Sequence, residues 1–139
     1  MPLLSNDQLL AIATIASDLF SQSRFDDAAV LYRGLVALGD NAYGDAGLGA
    51  IALAADPPDL ETAFTHLSRA AALNGRDATL HANLGEVLLR QGQLEAAATE
   101  FCRAFELDPH ESDAGANRAR TIIQANRRLA DAIKRRQKP

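Results

Sequence analysis

The stretch HANLGEVLLRQGQLEAAATEFCRAFELDP, residues 81–109, decides the fold. It consists almost wholly of strong helix formers, yet Gly85 and Gly92 interrupt it seven residues apart. Glycine in a helix interior costs about 1 kcal/mol relative to alanine, so each needs a reason. One reading is a backbone cradle for phosphate. The other is packing, with Gly85 at a close helix approach and Gly92 at a helix end in the left-handed conformation. Leu84 and Leu88 fall at helical spacing before Gly92, and Leu94, Ala97, Phe101 and Ala104 continue it afterwards. That periodicity reads as two helices joined at Gly92. A phosphate loop needs a preceding strand and, in the Walker form, a Gly-Lys-Ser or Gly-Lys-Thr ending; both are missing here, as they are around GDAGLGA, residues 44–50.

The same arrangement recurs along the chain. A small residue is followed four residues later by a large apolar one at Ala28 and Tyr32, Ala63 and Leu67, and Ala97 and Phe101, with the small anchors 35 and 34 residues apart. Phe25, Leu60 and Leu94 each stand three residues before an anchor. Upstream lie second apolar-periodic segments: Ile12, Ile15, Ala16 and Leu19, then Leu48, Gly49 and Ala52, then Leu84, Gly85 and Leu88. Each unit is therefore a helix pair, and the units cover about residues 9–41, 42–77 and 78–111. Punctuation agrees. Asn6 or Asp7 suits a first N-cap, Gly39 a helix end, and Gly75 with Asp77 a boundary between units. Asp56-Pro57-Pro58 breaks the second pair and adds two residues to its turn, while Asp108-Pro109 closes the third. No apolar alternation of period two persists, so the fold class is all-α.

Composition fits one soluble domain over residues 1–139: 47% hydrophobic, 23% charged and only 5% aromatic, without tryptophan. The single cysteine, Cys102, excludes an internal disulfide and a zinc finger, and points to a reducing, cytoplasmic setting. Neither a signal peptide nor a membrane span is expected, because MPLLSNDQLL has no basic segment before a long apolar run and no uninterrupted apolar stretch reaches about 18 residues. The net charge of −4 hides an asymmetry. Residues 1–111 hold 6 Lys+Arg against 16 Asp+Glu, and residues 112–139 hold 8 against 2. An acidic body argues against a nucleic-acid surface there.

The third unit resembles a tetratricopeptide repeat: Leu84-Gly85, Ala97, Phe101, Ala104 and Pro109 match its pattern, with His81 and Leu88 in place of the aromatics. The first unit matches through Phe25, Ala28 and Tyr32, the second through Leu48-Gly49, Ala63 and Ala70. The resemblance implies a right-handed superhelical array of three helix pairs. One C-terminal capping helix, about residues 112–136, follows, with Ala119, Ile122, Ile123, Leu129, Ala130 and Ile133 on one face and Arg120, Arg127, Arg128, Lys134 and Arg135 on the other. The basic face reads as solvated.

Chemistry is sparse. His66, His81 and His110 show no paired metal-ligand spacing; His81 reads as a packing residue in an aromatic slot, and Cys102 as an inert thiol beside the core residue Phe101. No catalytic constellation, metal site or cofactor site emerges, and an enzyme is not expected.

What remains is a surface. In tetratricopeptide arrays the first helix of every pair lines a concave groove that holds a segment of a partner. Helical phase then assigns to it Leu10, Ala13, Thr14, Ser17 and Phe20, next Tyr43, Ala46, Gly47, Ala50, Leu53 and Ala54, and last Thr79, Ala82, Asn83, Glu86, Leu89 and Arg90. This lining suits an extended apolar segment of a protein partner, with Asn83, Glu86 and Arg90 available to its backbone or charges. Co-chaperones of this repeat class that grip a C-terminal carboxylate use a Lys, Asn and Arg clamp. The matching positions are Ala13, Ser17, Gly47, Thr79 and Asn83, so four of the five clamp residues are missing.

A closer resemblance rests on SQSRFDDAAVLYRGLVALGD, GLGA, GEVLLRQGQL and LADAIKRRQ in that order. It is similar to the class II type III secretion chaperones. That resemblance implies a cytoplasmic bacterial chaperone holding hydrophobic translocator proteins before export, with homo- or hetero-oligomers in scope. A scaffold or adaptor subunit of a secretion or envelope assembly, docking through its convex face or its basic last helix, is the alternative. Neither reading involves nucleic acid or membrane insertion.

Overall fold

The computed structural model describes residues 4–138; Met1 to Leu3 of the N-terminal stretch and Pro139 lie outside them. Eight helices and no strand occur among the described residues: α1 (Asn6–Ser21), α2 (Phe25–Leu38), α3 (Tyr43–Ala54), α4 (Leu60–Leu73), α5 (Ala78–Arg90), α6 (Leu94–Leu107), α7 (Ala114–Gln124) and α8 (Arg127–Gln137). No helix among those residues is long and apolar enough to cross a membrane.

Side-chain caps set most helix starts. Ser5, not Asn6 or Asp7, caps α1, because Ser5 and Gln8 form a reciprocal capping box: the Gln8 N–H donates to Ser5 Oγ, and the Ser5 N–H to Gln8 Oε1. Asp59, Asp77, Asp113 and Asn126 accept backbone N–H bonds at the starts of α4, α5, α7 and α8. Gly39 and Gly92 have positive φ, 71° and 80°, which favours glycine at these helix ends. The turn between α3 and α4 occupies residues 55–59, two more than the turns at 22–24 and 91–93, as the Asp56-Pro57-Pro58 insertion requires.

The helices gather into two compact units, α1 to α4 and α5 to α8. In the first, α1 packs on α2, α2 on α3, and α3 on α4. Leu9, Ala16, Ala28, Tyr32 and Leu35 form one buried cluster. Between α3 and α4, a Cβ at Gly49 would stand 2.5 Å from Leu67 Cγ, so only glycine lets these helices approach. Asp45 on α3 and His66 on α4 add a polar link, with Nδ1 2.7 Å from Oδ1.

In the second unit α5 packs on α6 and α7, and α6 on α8. Its buried cluster includes Ala82, Leu88, Ala97, Phe101, Ala104, Ala119, Leu129, Ala132 and Ile133. Each fully buried Leu or Phe in it contributes about 1.5–3 kcal/mol over an exposed one.

The expected single capping helix is instead two. The chain breaks at Ala125 and Asn126, where the Asn126 side chain accepts the Leu129 N–H at 3.0 Å and starts α8. A straight helix of about 25 residues would extend roughly 37 Å, against about 21 Å for α6. Its distal apolar residues would run past their support. Folding back lets α8 lie on α6 and buries Leu129, Ala132 and Ile133.

On the basic face of this segment Arg127, Arg128, Lys134 and Arg135 are exposed, as expected, and Arg120 alone of the five is half-buried. Arg120 donates to Asp108 Oδ2 at 2.8 Å and to its backbone oxygen at 2.9 Å, with its guanidinium carbon 4.7 Å from the Phe105 ring centroid. Arg135 and Arg136 on α8 both donate to Glu95 on α6, at 3.0 and 2.6 Å.

Candidate peptide-binding faces

In the first unit the candidate face belongs to α1 and α3, which touch each other. Leu10 is its most open large apolar side chain at 50% exposure. Ala13, Phe20, Tyr43, Ala46 and Ala50 are half-buried, while Thr14, Ser17 and Ala54 are exposed. The Thr14 hydroxyl donates to the Leu10 carbonyl at 2.8 Å, which leaves a largely apolar lining. The Phe20 ring is 5.2 Å from that of Phe25, the first residue of α2.

Two positions assigned to this face serve the interior instead. Leu53 is 8% exposed, and Gly47 is covered by the Tyr32 ring, which a Cβ there would overlap. Helical phase alone puts both on the first-helix face, but α2 and α4 reach far enough round α3 to cover them.

In the second unit the face belongs to α5 and α7. Thr79 Oγ1 donates to both oxygens of Asp113, at 2.8 and 2.9 Å. A Cβ at Gly115 would stand 2.7 Å from Thr79 Oγ1, so α7 starts hard against α5. Asn83 and Leu89 are half-buried and Arg90 is exposed, whereas Ala82 lies in the core at 3% exposure. Glu86 is buried too. It accepts from Arg118 at 2.8 Å and from Arg90 at 3.4 Å, both at Oε1.

Arg118 and Asp113 are candidate functional positions that a single cap over residues 112–136 conceals, since α7 is the first helix of a further pair. A signal existed: Asp113 stands 34 residues after Thr79, the repeat length. His81, expected as a packing residue, is instead hydrogen-bonded. Both ring nitrogens are engaged, Nδ1 2.6 Å from Glu100 Oε2 and Nε2 2.9 Å from the Gly75 carbonyl, so His81 ties α5 to α6 and to the preceding turn.

The remaining chemistry is structural. Arg120 is the chief reason the Asp108 carboxyl is held below the usual carboxylate range, joined by the Ser112 and Asp113 backbone N–H groups. Burial pushes the Cys102 thiol up, away from the reactive thiolate. Among the described residues, no three His, Cys, Asp or Glu side chains converge as a metal site.

These features define a class: an all-helical, tetratricopeptide-like protein whose helix pairs present mixed apolar and polar faces. The particular likeness is to type III secretion translocator chaperones. The fold matches SycD of Yersinia enterocolitica with a TM-score of 0.73 and 21% identity, over 92% of this chain and 89% of that one. It matches PcrH of Pseudomonas aeruginosa at 0.68 and 25%, over 88% of this chain and 93% of that one. SycD is also solved with a peptide of the translocator YopD, and PcrH with the chaperone binding region of PopD. A Thermobaculum terrenum O-GlcNAc transferase matches at 0.67 and 26%, over 78% of this chain but 21% of that one. The fold thus also occurs as part of a much larger enzyme chain, and by itself does not specify a function. No protein-family model and no curated protein matches the sequence.

Proposed function

We propose that this chain is a cytoplasmic, non-enzymatic bacterial chaperone that holds an apolar segment of a secreted partner, of the translocator kind, on the first-helix faces of its units. The observation that carries the reading is the end-to-end match to PcrH at 25% identity, a protein solved with the chaperone binding region of PopD. The faces support it physically. Leu10, Tyr43 and Leu89 supply apolar contact, and Ala13, Ala46 and Ala50 leave room for a partner's side chains. Such binding lowers the free concentration of an aggregation-prone chain without covalent chemistry.

Co-expression with an apolar secreted protein encoded beside this gene tests the proposal. The expected result is a soluble complex, lost in Leu10→Asp and Leu89→Asp variants that keep wild-type helicity. Leu53→Asp is unsuitable, because Leu53 is buried. The reading fails if both variants still bind and only charge reversal at Arg127, Arg128 and Arg135 abolishes the complex; a scaffold docked through α8 would then replace it.

A further inference from the structure

Two ties fix α7 beside α5, Thr79 to Asp113 and Glu86 to Arg118. At the second, one carboxylate oxygen serves two guanidinium groups, from Arg118 at 2.8 Å and Arg90 at 3.4 Å. The Glu86 side chain is only 6% exposed, while those of Arg118 and Arg90 are 64% and 44% exposed. One buried negative charge therefore holds two outward cations, and the cluster keeps one positive charge in excess. A guanidinium has five N–H donors in a rigid fork, and Glu86 engages a single nitrogen of each. Asn83 lies about one turn before Glu86 and Leu89, beside Arg90, about one turn after it; Asn83 and Leu89 are both half-buried.

We infer that this face selects a segment carrying an Asp or Glu side chain, seated on Arg90 and Arg118, beside a large apolar side chain resting on Leu89. The inference rests on the chaperone reading and adds the chemistry by which the second unit chooses among apolar segments. Three features argue for a carboxylate. The two cations repel each other and are only half neutralised by Glu86. Their outward N–H groups match carboxylate geometry. Glu86 and the Thr79–Asp113 tie hold the helices in place, so little ordering is left to the moment of binding.

The test is a phage-displayed library of random dodecapeptides, displayed internally so that no free C-terminus competes, panned on the full chain. Wild type is expected to enrich peptides with Asp or Glu at a fixed spacing from a large apolar residue. Arg118→Gln should keep the apolar preference and lose the acidic one, while Arg118→Lys retains it in weaker form. For one selected peptide, Asp→Asn should weaken binding to wild type about three- to tenfold and leave binding to Arg118→Gln nearly unchanged. Equal acidic enrichment on Arg118→Gln, or none on wild type, overturns the inference while leaving the chaperone reading intact. A peptide set that binds Leu89→Asp as well as wild type likewise overturns the inference, whereas a set indifferent to both Leu10→Asp and Leu89→Asp, or no enrichment at all, overturns the chaperone reading itself. Circular dichroism confirms that each variant is folded.

Discussion

Gly85 on α5 lies against the ring of Phe101 on α6: a Cβ placed on Gly85 would stand 2.7 Å from Phe101 Cε1. The same relationship joins Gly49 to Leu67 in the first unit, and the fully buried Ala16 occupies the corresponding place in the pair that holds Tyr32. A small residue on one helix admits a large one from its partner, which is why glycine survives inside these helices.

Gly85→Ala and Gly34→Ala are therefore expected to act in opposite directions. Overpacking against Phe101 costs about 1–3 kcal/mol, more than the roughly 1 kcal/mol that helix propensity returns. Gly34 has nothing within 4 Å of a Cβ, so Gly34→Ala should stabilise by about 0.5–1 kcal/mol. Chemical denaturation of both variants reads the difference, and equal effects would contradict the packing account.

His81→Phe restores the aromatic that the repeat pattern favours but removes both ring hydrogen bonds. The expected result is destabilisation by about 1–3 kcal/mol, because Glu100 and the Gly75 carbonyl lose their partner. A double-mutant cycle with Glu100→Gln should show coupling between the two sites. A stabilised His81→Phe would mean that His81 acts only by packing.

Asp108 makes the second unit acid-sensitive. Its folded carboxyl lies below the ordinary value, chiefly through Arg120, so the unfolded chain takes up the proton first as pH falls. The contribution is complete above the ordinary carboxylate range and is lost as pH falls through the depressed folded value. Denaturation midpoints measured from neutral to acid pH should fall less steeply for Asp108→Asn than for wild type; parallel slopes would refute the assignment.

Leu129 and Asn126 hold α8 in place. Leu129 is fully buried, so Leu129→Ala should cost about 2–5 kcal/mol, and Asn126→Ala about 1 kcal/mol through the lost cap. Amide hydrogen exchange should show both losses within Gly75–Pro139, with α8 the first helix to open.

Leu10→Asp should leave stability within about 0.5 kcal/mol of wild type, since half of that side chain is already in solvent. Leu53→Asp should destabilise by several kcal/mol, because it places an unpaired charge where the protein excludes water. Thermal melts separate the two, and only the first variant is fit for a binding assay.

The first three helix pairs and the reason for Gly85 were legible in the sequence, because helical periodicity and the spacing of Ala28, Ala63 and Ala97 are local properties repeated along the chain; the break between α7 and α8 was not. The repeat also placed the first-helix faces, since phase on a helix follows from residue number. Which residues on those faces remain available was decided only by tertiary structure. Leu53, Gly47 and Ala82 have the right phase, but neighbouring helices cover them. Glu86 also has the right phase, yet it is buried beneath two arginines, one of them 32 residues away on α7. Local sequence carries the rise and twist of each helix. Burial and charge pairing depend on what the rest of the chain brings alongside, and no stretch of sequence contains that by itself.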